Sequence, residues 1–342
     1  KIIIDSNGLN YQGEADTFIV EYNTDGETLS IVYADATKGW IPLNDDVVAD
    51  VPVAPPTQKA LFGYGSGPSS LTNLVSSSGV VATDTTGVGT ARNSISAASY
   101  GTDKAIFGYG ITSSANVSLT NLVNSSGVVA TDVTGVGTAR RELAAASYGT
   151  DKVIFGYGYD GSSYVSMTNL ASNSGVVATD VTGVGTARRY IAAVKYGTDT
   201  AIFGYGDTGS NVSMTNLVSN VGVVATDTTG VGTARDSLAA ASYGSTGQAL
   251  FGYGNTGSAS SLTNLVTNLG VVGSDVTGVG TARWGPAATG YGGDKAIFGY
   301  GYAGGNVSMT NLVSNSGVVA ADVTGVGTVR ERLGAAGYSI SA

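Results

Sequence analysis

The chain has 342 residues, 52 of them glycine, with 12% charged and 42% hydrophobic residues, and its wealth of valine, threonine, serine and tyrosine predicts an all-β protein. It has no cysteine and no histidine, which excludes disulfides, a thiolate nucleophile and the usual general base and metal ligand. The net charge of −9 comes without a basic stripe or a long apolar run, so neither nucleic acid binding nor membrane insertion is expected.

Residues 1–50 form the first predicted domain, a small β module. The runs KIIID, DTFIVEY, TLSIVY and GWIPL predict four short strands separated by turns. About fifty residues without a disulfide bury little apolar surface, so we expect the module to close against copies of itself. A monomeric β domain that leans on the rest of the chain is the alternative. The start at Lys1 without methionine predicts a fragment or a processed form.

The first domain resembles a module of bacteriophage tail fibres and other virion appendages. The likeness lies in Gly8, Gly13–Asp16, Ile31–Tyr33 and Gly39–Trp40 and covers about residues 1–45. Members of that family form intertwined trimers. The resemblance therefore implies a homotrimeric stalk through residues 1–50, other virion proteins as partners, and a place on the virion, outside the cell.

A proline-rich linker follows the first domain. VPVAPPT holds three of the six prolines of the chain, and such composition favours an extended, semi-rigid spacer. We predict a linker over residues 51–58 and a second domain over residues 59–342.

The second domain consists of six copies of one sequence, close to AIFGYG…VSMTNLVSNSGVVATDVTGVGTAR. The phenylalanine of FGYG recurs at spacings of 45, 48, 48, 48 and 47 residues. It is found at Phe62, Phe107, Phe155, Phe203, Phe251 and Phe298. The arginine that ends each copy is found at Arg92, Arg140, Arg188, Arg235, Arg283 and Arg330. A fixed period of this length, built from short β runs, is typical of a β-propeller.

Each copy predicts four antiparallel strands. In the third full copy these are RYIAAVKYG (189–197), TAIFGYG (200–206), NVSMTNLVS (211–219) and GVVATDTT (222–229). Alanine crowds the first strand, which suits the innermost place in a blade because blades converge on the axis. The order resembles the kelch repeat, with Gly156–Gly158 as the glycine pair, although the outer-strand tryptophan of that family is absent.

The register of the copies predicts a closed ring of six blades. The first copy begins at Lys59 without an alanine-rich strand, whereas the chain ends in one, RERLGAAGYSIS (330–341), with nothing after it. If the C-terminal strand completes the first blade, no strand edge stays open within the ring.

Two positions shared by all copies are interpreted as framework. The aspartate before TGVG is expected to bond its own turn, and the arginine is expected to pair with that aspartate or to stack on the tyrosine of FGYG. Calcium binding by a ring of aspartates is the alternative. These aspartates are Asp84, Asp132, Asp180, Asp227, Asp275 and Asp322.

Two windows vary between copies, one after FGYG and one after TAR or TVR. In a four-stranded antiparallel blade both windows lie on the same face, and the uniform loops YGTDK and SNSG lie on the other. The variable face collects residues that suit recognition, since aromatic rings with one wet edge bind sugars and proteins. The candidate ligand-binding residues are Arg141, Tyr159, Asp160, Tyr164, Arg189, Tyr190, Asp207, Trp284 and Tyr302. The alternative is drift between recent duplicates.

These features predict a non-enzymatic phage fibre or appendage protein, without a cofactor or metal, whose propeller recognises a host-surface glycan or protein. An architectural decoration protein of a virion, binding only its neighbours, is the first alternative. A glycan-cleaving enzyme is the second, because paired carboxylates could serve. The acids that could take part are spread over different copies: Glu142, Asp160, Asp207, Asp236 and Glu331.

Overall fold

The computed structural model describes residues 2–15, 20–22, 28–43 and 58–339, and every regular element in these ranges is a β-strand. No helix able to cross a membrane occurs in this part of the chain. Contacts between Cα atoms divide the protein into two compact units, Lys1–Pro55 and Pro56–Ala342. The predicted linker over 51–58 lies outside the described residues except for Gln58.

The first unit contains four short strands in two antiparallel pairs. They are β1 (Ile2–Ile4) with β2 (Val20–Tyr22), and β3 (Ile31–Asp35) with β4 (Gly39–Pro42). The hydroxyls of Tyr11 and Tyr22 lie 2.8 Å apart in its interior. Trp40 meets Tyr33 edge-on, with ring centroids 5.5 Å apart. Asp16 of the fibre-like motif and the first part of the DTFIVEY run lie outside the described residues.

The second unit contains six three-stranded antiparallel sheets, one for each copy of the repeat. Sheet I joins the end of the chain to its first copy, since β22 pairs with β5 from Gly334 opposite Gly63 to Tyr338 opposite Lys59. The strands of each sheet are given in hydrogen-bonded order, and the first strand of each is called its inner strand: sheet I contains β22 (Gly334–Tyr338), β5 (Lys59–Gly65) and β6 (Ser69–Val75), and sheet II contains β7 (Ser96–Tyr100), β8 (Lys104–Gly108) and β9 (Thr120–Val123). Sheet III contains β10 (Ala144–Tyr148), β11 (Lys152–Gly156) and β12 (Thr168–Ala171), and sheet IV contains β13 (Ala192–Tyr196), β14 (Thr200–Asp207) and β15 (Asn211–Val218). Sheet V contains β16 (Ala239–Tyr243), β17 (Gln248–Gly252) and β18 (Thr263–Val266), and sheet VI contains β19 (Ala287–Tyr291), β20 (Lys295–Tyr302) and β21 (Asn306–Val313).

Neighbouring sheets pack face to face through the FGYG motif. Between sheets IV and V, Tyr205 meets Phe251 with ring centroids 5.1 Å apart. The same contact recurs between all consecutive sheets, and Phe62 of sheet I meets Tyr300 of sheet VI at 5.2 Å. The first glycine of the motif provides the space, because a Cβ on Gly204 would lie 2.7 Å from Cζ of Phe251. Six hydrophobic clusters result, each shared by two sheets.

The prediction of a fourth strand in each copy is wrong, because the GVVATD segment contributes only isolated bridges. In sheet IV these join Val218 to Val224 and Thr215 to Thr228. Between these two bridges, two residues of β15 therefore lie opposite three residues of the fourth segment. The Asn216 side-chain amide occupies the gap and donates to Ala225 O at 2.9 Å, which interrupts the regular ladder.

A buried arginine links neighbouring sheets in every copy. The Arg188 guanidinium is fully buried and lies 4.5 Å from the Tyr157 ring centroid. It donates to Tyr205 O at 2.9 Å, to Thr186 O at 3.0 Å and to Asn216 Oδ1 at 2.6 Å. The stacking on tyrosine is repeated at 4.1–4.7 Å around the six sheets. The left-handed backbone of the tyrosine, with φ of 64° at Tyr205, turns its ring toward the neighbouring arginine.

The aspartate before TGVG bonds to another copy rather than to its own turn, which corrects the sequence-based expectation. Asp227 accepts hydrogen bonds from the Thr186 hydroxyl at 2.6 Å and the Thr186 backbone N–H at 3.0 Å, 41 residues earlier. Asn216 Nδ2 donates to the same carboxylate at 2.9 Å. Arg188 lies 3.7 Å away, so the expected arginine–aspartate pairing occurs together with the stacking on tyrosine. The carboxylate oxygens are therefore already bonded within the protein.

The packing of Phe251 against Gly204 predicts that Gly204→Ala is destabilising. The added methyl group would overlap a fully buried ring, and overpacking of this kind costs about 1–3 kcal/mol. Thermal unfolding followed by circular dichroism should show a clearly lower Tm for this variant. Gly305→Ala is the matched control, because nothing lies within 4 Å of its added Cβ. Equal Tm values for the two variants would contradict the packing described here.

The framework aspartates predict a loss of stability in acid. Burial alone would raise the pKa of Asp227, but hydrogen bonds from Thr186 and Asn216 and the charge of Arg188 outweigh it and lower the pKa. Because the folded pKa is depressed, the contribution is complete above the unfolded value of about 3.9 and is lost as pH falls through the folded value. Asp227→Asn should therefore be less stable than the parent at pH 7, with the gap closing toward pH 2. Urea unfolding at both pH values measures the difference in the free energy of unfolding between the variant and the parent. A difference that is the same at pH 7 and pH 2 would contradict this prediction.

Candidate recognition face

The two variable windows of each copy are hydrogen-bonded to each other. The first residue after the TAR motif forms an antiparallel bridge with the first residue after FGYG, as between Arg141 and Tyr159 and between Trp284 and Tyr302. The same bridge is found in sheets II, IV and V. In sheet I, Ser66 N donates to Glu331 O at 2.8 Å. The structure thus brings the two windows of every copy together.

One residue from each copy forms a central ring. It is the second residue after the motif arginine, and in all six copies its backbone is left-handed, with φ between 50° and 63°. Each backbone N–H of the ring donates to the carbonyl of the preceding member at 2.7–3.1 Å, and the last bond joins sheet II to sheet I. The members are Ser94, Glu142, Tyr190, Ser237, Gly285 and Arg332.

Arginine and aromatic side chains run across this ring in continuous contact, and we call them the arginine–aromatic stripe. Its members come from the variable windows of sheets III, IV, VI and I. They are Arg141, Tyr159, Tyr164, Arg189, Tyr190, Arg332, Trp284 and Tyr302.

The first half of the stripe centres on Arg189. Its guanidinium carbon lies 4.9 Å from the Tyr164 ring centroid and 4.8 Å from that of Tyr190. Arg141 lies 4.8 Å from the ring centroid of Tyr159, which meets Tyr164 edge-on at 5.9 Å. Guanidinium groups over aromatic faces are attracted by the ring quadrupole, so these side chains hold one another in place.

The second half of the stripe spans the centre of the ring. The Arg332 guanidinium carbon, from sheet I, lies 5.3 Å from the ring of Tyr190, from sheet IV, and 5.3 Å from that of Trp284. Trp284 stacks on Tyr302 with ring centroids 4.7 Å apart. Arg332 and Tyr190, which are 142 positions apart in the chain, thus meet at this point.

Two acidic side chains neutralise the first half of the stripe. The buried Glu142 carboxylate accepts hydrogen bonds from Arg141 at 3.0 Å and from Arg189 at 3.3 Å. Asp207 accepts from Arg189 Nε at 3.0 Å and from the Tyr164 hydroxyl at 3.3 Å. These carboxylates therefore act as counter-charges.

The remaining acids of the variable windows are placed differently. Asp160 accepts from the backbone N–H of Ser162 and Ser163, which lowers the pKa of its carboxyl and closes its own loop. Burial raises the pKa of Asp236 and of Glu331.

The structure brings together eight of the nine residues that the sequence suggested. Seven are members of the stripe and Asp207 bonds to it, whereas Asp160 bonds only within its own loop in the contacts described. Arg332 was missed, because its window follows TVR at the end of the chain and its partners lie in sheets IV and VI. A charged residue two positions after the motif arginine, as at Glu142, is the signal that could have found it.

No protein-family model matches the chain, and no curated protein matches it. Within the described ranges, no group of three or more histidine, cysteine, aspartate or glutamate side chains gathers in a way that could hold a metal ion.

The pairing of Glu142 with two arginines predicts that Glu142→Gln is destabilising. The variant leaves Arg141 and Arg189 without this counter-charge in a half-buried place, and we expect a cost of about 1–2 kcal/mol in the free energy of unfolding. Asp160→Asn is the control, since asparagine forms the same kind of turn and the change should stay within about 0.5 kcal/mol. Denaturant unfolding measures both variants. A Glu142→Gln variant as stable as the control would show that the ion pairs contribute nothing.

Proposed function

We propose that the second unit is a closed six-bladed β-propeller of kelch-like construction. The cyclic order of contacts supports this architecture, because each inner strand lies against the inner strands of the sheets before and after it, and β22 lies against both β19 and β7. A cavity of about 490 Å³ is lined by the inner strands of all six sheets. Because β22 completes the first blade, every one of the six sheets has its inner strand.

Hydrogen bonds at both ends of the inner strands support the closed ring. On the side of the uniform loops, one backbone bond joins each sheet to the next, as from Gly149 N to Asp199 O at 2.7 Å. The last two of these bonds run from Gly292 N to Gln58 O and from Ser339 N to Asp103 O. The central ring of the variable windows is the counterpart at the other end.

We infer that the propeller is a non-enzymatic recognition head, which binds a host-surface glycan or protein through its variable face. The observation that carries this proposal is the composition of the arginine–aromatic stripe. It consists only of residues that differ between copies, while the buried framework beneath it is repeated six times. Half-buried tyrosine, tryptophan and arginine are the side chains that dominate binding energy at interfaces.

The acids of the face favour binding over catalysis. A glycosidase needs two carboxyls about 5–10 Å apart with free oxygens. Glu142 and Asp207 are engaged by arginine, and Asp160 is engaged by its own loop. The two remaining acids, Asp236 and Glu331, belong to sheets V and I, which are not neighbours. A glycan-cleaving enzyme is accordingly the least favoured function.

We place the protein on the virion, as a fibre or appendage whose first unit forms a trimeric stalk. The resemblance of residues 1–45 to tail-fibre modules is the main support. Apolar side chains left exposed in that unit, among them Ile3, Val32 and Leu43, are the surface that pairing with further copies would cover. A trimer would present three heads, so that weak contacts gain from their effective concentration.

An architectural role as a virion decoration protein is the second candidate, and one observation favours it. The outermost segment of every copy carries an exposed valine, 60–67% accessible, which gives the perimeter an apolar belt suited to neighbouring subunits. These residues are Val80, Val128, Val176, Val223, Val271 and Val318.

The recognition function is tested by binding the full chain to an array of bacterial surface glycans and to whole bacterial cells. We expect binding that falls at least tenfold in Trp284→Ala and Tyr164→Ala. Leu269→Ala, which removes an exposed side chain from a uniform loop, should leave binding unchanged. Native mass spectrometry of the same preparation should give three chains.

Each of these expected results has an outcome that would contradict it. Absence of binding, together with assembly that is lost when the belt valines are changed to serine, would favour the decoration protein. A monomeric mass would overturn the stalk. Loss of binding in the Leu269 variant alone would place recognition on the other face.

A further inference from the structure

The centre of the variable face contains a small cavity. Its volume is about 90 Å³, room for roughly three waters. Its rim is the central ring, and its floor is one buried apolar residue from each sheet. The floor residues are Ile95, Leu143, Ile191, Leu238, Pro286 and Leu333.

Arg332 contributes a positively charged side chain to the wall of this cavity. It lines the cavity together with Tyr190, and its guanidinium lies between the rings of Tyr190 and Trp284. Its Nε is buried and has no hydrogen-bond partner among the described residues. No ion pair joins Arg332 to a described carboxylate, in contrast to Arg141 and Arg189.

The nearest acids do not take the place of a partner. Glu142 already accepts from two other arginines. Glu331 precedes Arg332 in the chain and the two charges attract each other, but its carboxylate lies beyond ion-pair distance, and its Oε2 is buried without a hydrogen-bond partner. The half-buried guanidinium thus lines the cavity without a counter-charge at ion-pair distance, and an anionic ligand would supply one.

We propose that Arg332 binds the carboxylate of an acidic sugar in the ligand, whose ring lies against Trp284. This inference rests on the proposed recognition function and names the class of its ligand. The two terminal nitrogens of the planar guanidinium can donate to a carboxylate in parallel, which a lysine could not do. The cavity admits a carboxylate but not a sugar ring, so the ring is left at the aromatic rim, where flat apolar faces are available.

The charge of the unit favours a local contact over a general attraction for polyanions. Residues 59–342 carry 15 acidic and 14 basic residues, a net charge of −1. Binding should therefore depend on one side chain.

The test uses the full chain with Trp40→Phe, which leaves Trp284 as the single tryptophan. Glucuronate and glucose are titrated while tryptophan fluorescence is recorded, because the two sugars differ only in the carboxylate. We expect saturable quenching by glucuronate with an affinity at least tenfold above that for glucose. Arg332→Ser should lose this preference. Serine stands at the same left-handed position in two other copies, Ser94 and Ser237, so the variant should keep the parent Tm.

Four outcomes would overturn the proposal. Equal affinity for the two sugars, or an unchanged preference in Arg332→Ser, would remove the carboxylate from recognition. Absence of quenching by either sugar would do the same. Quenching by acetyl-aspartyl amide in place of glucuronate would assign the cavity to an acidic peptide. Loss of array or cell binding in Trp284→Ala would still support the recognition function in each of these cases.

Discussion

The burial of six guanidinium groups is the constraint on which this repeat depends. A buried cation is costly unless its donors are bonded and its charge is balanced. Here the tyrosine ring and carbonyl, the threonine carbonyl and the aspartate meet that requirement in each link. The asparagine amide adds a bond in five of the six links, and in the remaining one Arg140 Nη2 and Asn169 Oδ1 have no partner among the described residues. Removing any one of them leaves an unsatisfied polar group in the interior, which explains why the six copies are nearly identical at these positions.

The same constraint determines at which positions the sequences of the copies can differ. The partners of each arginine come from two neighbouring copies, so a change in one copy affects the next. The windows after FGYG and TAR lie outside this network, although their backbones are fixed by the central ring and the bridges. Variable side chains are thus displayed on a rigid base, which favours precise binding because little order has to be gained on contact.

The sequence was sufficient for the all-β class and for three of the four strands predicted in each copy, and insufficient for the contacts between copies. Alternation and glycine placement predict β5 to β22, because they are local properties. The partner of Asp227 could not be predicted, since Thr186 lies in another copy and proximity in sequence pointed to the turn. The fourth segment is typical of a strand by composition, yet the Asn216 amide bonds the Ala225 carbonyl and interrupts the ladder. Arg332 meets Tyr190 only because two sheets face each other across the centre.

The position of β5 determines how the second unit would resist a pull. Residues before Lys59 lead into the middle strand of sheet I, which is hydrogen-bonded to β22 on one side and to β6 on the other. Tension along the chain would load both ladders at once, in shear rather than by peeling one bond at a time. The strand that would bear the load is also the one that pairs with β22, so the entry of the chain and the completion of sheet I depend on the same hydrogen bonds.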